Sequence, residues 1–258
     1  MILYIYFTSD NDGLLFMFTK RENLEDKKLD LEHLSKKFQY EIKYLSQYLS
    51  FTQELADRKG EELMDEMYSD TESNPENESI IQQIFENERK SLLSYYHHSA
   101  IVLIYSVLES ILSDICYEVK SITLAKFSHN DLSSGNLIKK SKDYLEYTSG
   151  LNFSLIEGEW GKIGQFQKLR NMIVHQNSSF TGSVESIDNQ KKTIKNNFPK
   201  IEISLDDKFY ILSNELVIEF INLINAFILK IFSHIKSITY QTEADIIKTL
   251  SPTDDIPF

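Results

Sequence analysis

Ala100-Ile101-Val102-Leu103-Ile104-Tyr105-Ser106-Val107-Leu108-Glu109-Ser110-Ile111-Leu112-Ser113-Asp114-Ile115 holds the pattern that decides the fold. Its large apolar residues at 101, 104, 105, 108, 111, 112 and 115 recur in steps of three and four. That spacing gathers them on one side of an α-helix and excludes the two-residue alternation of a strand. The helical tract around this stripe extends from about Ile80 to Phe127, where Ser128-His129-Asn130-Asp131 ends it. A stripe this dense needs other helices against it, so the expected architecture is a helical bundle.

Upstream, residues 24–66 read as a long amphipathic helix, with Leu31, Leu34, Phe38, Ile42, Leu45, Leu49, Thr52 and Leu55 on its core side. The acidic run 65–76 reads as a linker, with Asn74-Pro75 opening the next helix. Before residue 24, Met1–Phe7 and Leu14–Phe18 flank Ser9-Asp10-Asn11-Asp12-Gly13 as a β-hairpin. The reading therefore divides the chain into 1–77, a hairpin and long helix, and 78–258, the bundle proper.

Downstream, a short helix near Ser141–Thr148 is closed by Gly150, and helix resumes near Trp160 and ends around His175–Ser179. The polar, Lys/Asn-rich residues 178–200 read as a surface loop. Ile201–Leu205 and Lys208–Leu212 form a small hairpin across Asp206-Asp207. Ser213 caps a last long helix at 214–237, and a short amphipathic helix near Glu243–Leu250 follows. There is no internal repeat. The fold class is mainly α, with small β decorations at the N-terminus and before the last long helix.

Composition agrees with this reading. Apolar residues make up 41% of the chain, including 16 Phe and 14 Tyr, enough for a sizeable core, while 8 Gly and 4 Pro supply too few turns for an all-β fold. The lone Cys116 lies in an apolar helical stretch and reads as a small buried hydrophobe, which fits a reducing cytoplasm. Met1–Phe7 lacks a basic leader and makes a poor signal peptide. Leu216–Ile235 has the length of a membrane span. However, Glu215, Glu219, Asn222, Ala226, Lys230 and Ser233 form a narrow stripe opposite Val217, Phe220, Ile221, Ile224, Ile228 and Ile231. That is the pattern of a buried bundle helix, so no membrane segment is expected.

Net charge is −12, which argues against non-specific affinity for nucleic acid. The charge is uneven. Residues 1–90 hold 20 acids and 11 bases, whereas residues 136–200 hold 10 bases and 6 acids. The six histidines offer no metal-ligand spacing with an acidic companion, so neither a metal nor a cofactor is expected. His97 and His98 point in different directions on a helix, one expected semi-buried and the other exposed. No glycine-rich phosphate loop and no nucleophile elbow occur.

Chemistry concentrates in Arg170-Asn171-Met172-Ile173-Val174-His175. On an ideal helix Ile163, Phe166, Leu169, Ile173 and Val174 make the apolar face, and Arg170 projects from the middle of it. A guanidinium among core positions is costly unless it is paired or faces a cleft. Glu109 is the candidate acid for such a pair. Asn171 and His175 lie one turn apart on the other side, beside Lys168. His175 can act as base or acid near neutral pH, and Arg170 can hold a phosphate.

An Arg, a following Asn, three further residues and a His, ending one helix of a mostly helical bundle, resemble the signature of HEPN domains. Ala100–Ile115 is similar to an early bundle helix of that family. Trp160-x-x-Ile163-x-x-Phe166-x-x-Leu169 leads into the motif, and an apolar final helix follows. The resemblance covers roughly residues 78–238. It implies a metal-independent endoribonuclease that leaves 2′,3′-cyclic phosphate ends, with catalytic Arg170, Asn171 and His175 supported by Glu109 and Lys168. It also implies a homodimer that brings two motifs into one cleft, RNA as substrate, and a toxin or anti-phage role with an antitoxin or defence-system partner. Some toxin members carry a Tyr two residues after the His; this chain has Asn177 there. Two other readings stand beside this one. The first is a non-catalytic helical interaction protein using residues 24–66. The second is a nucleotide-sensing bundle in which Arg170 binds a ligand phosphate.

Overall fold

In the computed structural model the stripe at 100–115 lies along the centre of a 46-residue helix, and the other helices assemble around it. The structure describes residues 31–250 apart from 124 and 134, with side chains to 235. The hairpin expected at 1–18 lies outside the described residues. Helix α1 spans Leu31–Ser73 and α2 spans Glu78–Thr123, joined through Asn74 and a 3-10 turn at Pro75–Asn77. Pro75 opens that turn, where its missing N–H costs nothing. The acidic run expected as a linker is therefore helical as far as Ser73. It contains no Gly, and its only Pro falls after the last helical residue, so nothing in it interrupts propagation.

Leu31, Leu34, Phe38, Leu45 and Leu49 of α1 are buried in the same core as α2. Further along, Ala56 is buried and Leu55 is 38% exposed, because strict heptad steps drift around a helix of 3.6 residues per turn. In α2 the expected stripe is buried throughout, and Cys116 with it. Burial pushes the Cys116 thiol up to about 12, so it behaves as the small hydrophobe its position implies.

Helix α3 spans Leu137–Ser149, capped by the Asn136 side chain and ended by Gly150 at φ 67°. Helix α4, Glu157–Gln176, packs Ile163, Phe166 and Leu169 inward. The Phe166 ring stacks on Phe220 at 4.1 Å between centroids. After α4 the expected surface loop is instead partly helical: α5 spans Val184–Asn197, N-capped by Ser183. Its inward residues Ile187 and Ile194 are seven apart in a Lys/Asn-rich run, too sparse a stripe to read from sequence.

Strands β1 (Glu202–Ile203) and β2 (Phe209–Tyr210) pair antiparallel as the sequence indicates. Helix α6 spans Glu215–Leu250 without a break, where two helices were expected. No Gly or Pro lies between 215 and 250, so the helix has no reason to stop near 237. Its apolar side is buried and Glu215, Glu219, Asn222, Ala226, Lys230 and Ser233 are exposed, as the stripe pattern required. Among the described residues, Pro75–Thr123 and Glu215–Ile235 are long and apolar enough to cross a membrane, and half of each apolar window is buried inside the bundle.

Candidate functional site

Helix α4 presents the Arg170–His175 segment at its C-terminal end, and three contacts fix where that end lies. Asn177 (φ 48°) and Ser178 (φ 61°) turn the chain out of the helix through the left-handed region, and both backbone N–H groups reach the Met172 carbonyl. The emerging strand-like segment then meets the hairpin. Phe180 N–H donates to the Asp207 carbonyl at 2.7 Å, and Phe209 N–H donates to the Ser178 carbonyl at 3.0 Å. The Ser178 hydroxyl is anchored on the α2 side chain His98 at 3.0 Å.

Arg170 is half-buried and leans on α2. Its Cζ lies 5.4 Å from the centroid of the Tyr105 ring, a cation–π placement. One terminal nitrogen donates to Asn171 Oδ1 at 3.1 Å, while Nε is buried with no hydrogen-bond partner. Among the described residues no carboxylate comes within ion-pair distance of Arg170, so the pair with Glu109 is not formed. Glu109 is half-buried within electrostatic reach. Burial raises its carboxyl above the usual range, and the Arg170 charge opposes that shift. Burial likewise pushes the Tyr105 hydroxyl well up, which keeps it neutral under the guanidinium.

Asn171, His175 and Lys168 are all exposed. His175 sits in the last turn of α4, roughly 7.5 Å along the axis from Arg170. The segment thus combines a cation held by an aromatic face, an amide fixed to that cation, and an imidazole open to solvent. Such a set can grip a phosphate and move a proton beside it.

Tyr105 is the residue that sequence reasoning assigned only to the core. Its contact with Arg170 depends on how α4 crosses α2, which no local pattern encodes. A groove of about 510 Å³ between α4 and α5 was also missed, because α5 itself was. It reaches Lys168 and Met172 but not Arg170, Asn171 or His175.

His97 and His98 depart from expectation, since both are buried, at 0% and 7% exposure. His97 faces α1 and the chain entering α6. Its Nδ1–H donates to the Ile211 carbonyl at 2.8 Å, and Nε2 lies 3.2 Å from Oε1 of Gln53, whose amide nitrogen donates to Asp57. His98 faces the exit of α4, between the hydroxyls of Ser94 (3.1 Å) and Ser178 (3.0 Å). Sequence shows two directions on α2, and the structure has an element waiting in each. Among the described residues no cluster of His, Cys, Asp or Glu could hold a metal ion.

The chain is thus a helical-bundle protein with a two-stranded antiparallel sheet before its last helix. Comparison with protein-family models, with characterised proteins and with solved structures finds no match for it.

Proposed function

We propose that the protein is a metal-independent endoribonuclease of the HEPN type, acting in the cytoplasm as a toxin or anti-phage effector. The observation that supports this reading is Arg170, a half-buried guanidinium set on Tyr105 and tied to Asn171, with no carboxylate among the described residues at ion-pair distance. A cation held this way is ready for an anion from outside the chain. The exposed His175 one turn beyond Asn171 supplies the one imidazole of the segment, a group able to take or give a proton.

RNA brings its own nucleophile. His175 removes the 2′-hydroxyl proton, the 2′ oxygen bonds to the adjacent phosphorus, and the bond from phosphorus to the 5′ oxygen breaks. The products are a 2′,3′-cyclic phosphate and a 5′-hydroxyl. Arg170 stabilises the charge that develops on the phosphate oxygens, and Asn171 orients Arg170. The departing 5′ oxygen needs a proton, and one motif offers one histidine. A homodimer with the two segments facing each other supplies a second His175 for that step. An antitoxin or another defence protein would hold such an activity in check.

The test is incubation of the purified protein with total RNA in excess EDTA, followed by end-group analysis. Cleavage to cyclic phosphate ends is expected, and intact RNA across a range of protein concentrations would overturn the reading. A second reading, a non-catalytic interaction protein, draws on α1. Tyr40, Tyr44, Tyr48 and Phe51 recur at three- and four-residue steps on its outer side and are all more than half exposed.

A further inference from the structure

The groove between α4 and α5 has a chemistry of its own. Its floor is apolar, formed by Met172 of α4 with Ile194 of α5 and Phe198 just beyond it. Its rim is rich in side-chain amides, Gln165 from α4 and Asn189, Gln190 and Asn197 from α5 or its end. Gln190 spends its amide nitrogen on the Thr181 carbonyl (2.8 Å) and the Ser186 hydroxyl (3.0 Å), and its buried oxygen has no protein donor. Lys168 is the one cation among the lining residues and Glu185 the one anion.

Amides present donors and acceptors together, as does the hydrogen-bonding edge of a nucleobase. The Met172 thioether, with the buried Ile194 and Phe198 behind it, makes an apolar floor that suits the flat face of such a base. A ligand that was mostly charge would call for several cations, and this groove has a single lysine, enough for one phosphate. The volume of about 510 Å³ falls within the roughly 300–1,000 Å³ of small-molecule sites. Lys168, Met172 and His175 follow one another at four- and three-residue steps, so the groove lies on the α4 face that continues to His175, while Arg170 turns to α2.

We propose that the α4–α5 groove is a nucleotide subsite, with the base over Met172 and its phosphate at Lys168. The same chemistry is offered by a free nucleoside monophosphate and by one unit of an RNA chain. In the RNA case, which rests on the ribonuclease reading, the subsite selects the base next to the cleaved bond.

The experiment uses the full chain with two probes. The first is each of the four ribonucleoside 5′-monophosphates, titrated by calorimetry or ligand-observed NMR. Saturable binding of at least one is expected. It should weaken roughly tenfold or more in Asn189→Ala/Asn197→Ala, which removes rim hydrogen bonds, and in Thr193→Trp, which fills the groove from an exposed helical position. Arg170→Ala should retain it. The second probe is a short RNA with the base on either side of the cleaved bond removed in turn. One removal should slow wild-type cleavage about tenfold and have little effect in Thr193→Trp. Absence of monophosphate binding, or binding that both groove variants leave unchanged, overturns the subsite. Binding lost in the groove variants while wild-type RNA stays intact upholds the subsite and overturns the ribonuclease. Cleavage indifferent to both base removals, with no monophosphate bound, does the reverse.

Discussion

Two seams of α2 carry polar side chains, and the molecule treats them in opposite ways. At the seam with α1 and the α4 exit, His97 and His98 are buried and both nitrogens of each ring have a protein neighbour. A hydroxyl can donate or accept, so Ser94 and Ser178 satisfy a neutral His98 in either tautomer. Ser94 also takes the Ile211 N–H at 3.2 Å, so one cluster ties the helix, the exit of α4 and the entry to α6 together. At the seam beside Tyr105, Arg170 keeps a buried nitrogen without a partner and His175 stands in solvent. Buried rings with a protein neighbour at every nitrogen give the first seam a structural character, while the unpartnered guanidinium nitrogen and the exposed imidazole of the second are what the proposed phosphate site would use.

The largest expected effect comes from breaking the open seam. His175→Ala should lower RNA cleavage by about 10²–10⁴-fold, the usual worth of a general acid or base, yet leave the melting temperature unchanged. Arg170→Lys should also lose most activity, because a point charge replaces a forked donor. Cleavage at the parental rate in His175→Ala would erase the contrast between the seams.

The closed seam should show itself through acid. Burial lowers the His98 pKa to about 4, from 6.5 in the unfolded chain. As pH falls below 6.5 the unfolded chain takes up the proton first, so stability declines until about pH 4 and no further. The loss amounts to about 2 kcal/mol at pH 5 and about 3 kcal/mol at pH 4. His97 is shifted in the same direction by burial and adds to the slope. Urea unfolding at pH 7 and pH 5 measures this, and His98→Asn isolates it from carboxylate titration. An identical pH slope in that variant would show that His98 is not held neutral by its pocket. His98→Ala at pH 7 should cost about 2 kcal/mol, since it strands the buried Ser178 hydroxyl, leaves Ser94 with the Ile211 N–H alone and empties a packed site.

What the sequence disclosed about these seams follows from the range of the forces involved. The stripes of α2 and α6 are local periodicities, and Arg170 stands out because a cation among Ile163, Phe166 and Leu169 violates a local rule. Tyr105 looks like any other core residue until α4 is laid across it. His97 and His98 reveal two directions but not the α1 amide and α4 hydroxyl that fill them. Helix α5 rests on a tertiary contact of Ile194 and Phe198 that a Lys/Asn-rich run conceals, and the groove was hidden with it. The continuation of α1 to Ser73 was hidden by residues that resemble a linker in composition while containing no helix breaker.

A smaller effect should separate the two roles of Tyr105. Tyr105→Leu keeps an apolar filler in the core but removes the ring face beneath Arg170. An exposed or half-exposed cation–π contact is worth about 0.5–1 kcal/mol, and loss of a little shape adds to that. Stability should fall by roughly 1–2 kcal/mol. RNA cleavage should fall further than stability explains, because the guanidinium loses its seat. Equal cleavage at a lower melting temperature would make Tyr105 a core residue alone.

The smallest effect on the isolated chain is expected on the outer side of α1, and it bears on the second reading. Tyr44 and Tyr48 are 63% and 53% exposed, so Tyr44→Ser/Tyr48→Ser removes little buried area. Serine is a somewhat poorer helix residue, and the pair together should change stability by at most about 0.5–1 kcal/mol. A large aromatic stripe left in water is a poor end state for a helix, however, unless another surface covers it. If α1 is an interaction surface, the double variant should alter the mass measured by light scattering while the far-UV spectrum and melt stay close to the parent. On the ribonuclease reading, cleavage of RNA should then follow the oligomer rather than the fold, since the proposed cleft draws a histidine from each of two protomers. Should the variant keep both its mass and its activity, α1 serves the bundle alone, and the proposed dimer would have to form through another face, such as the one that bears Val174 and Arg170.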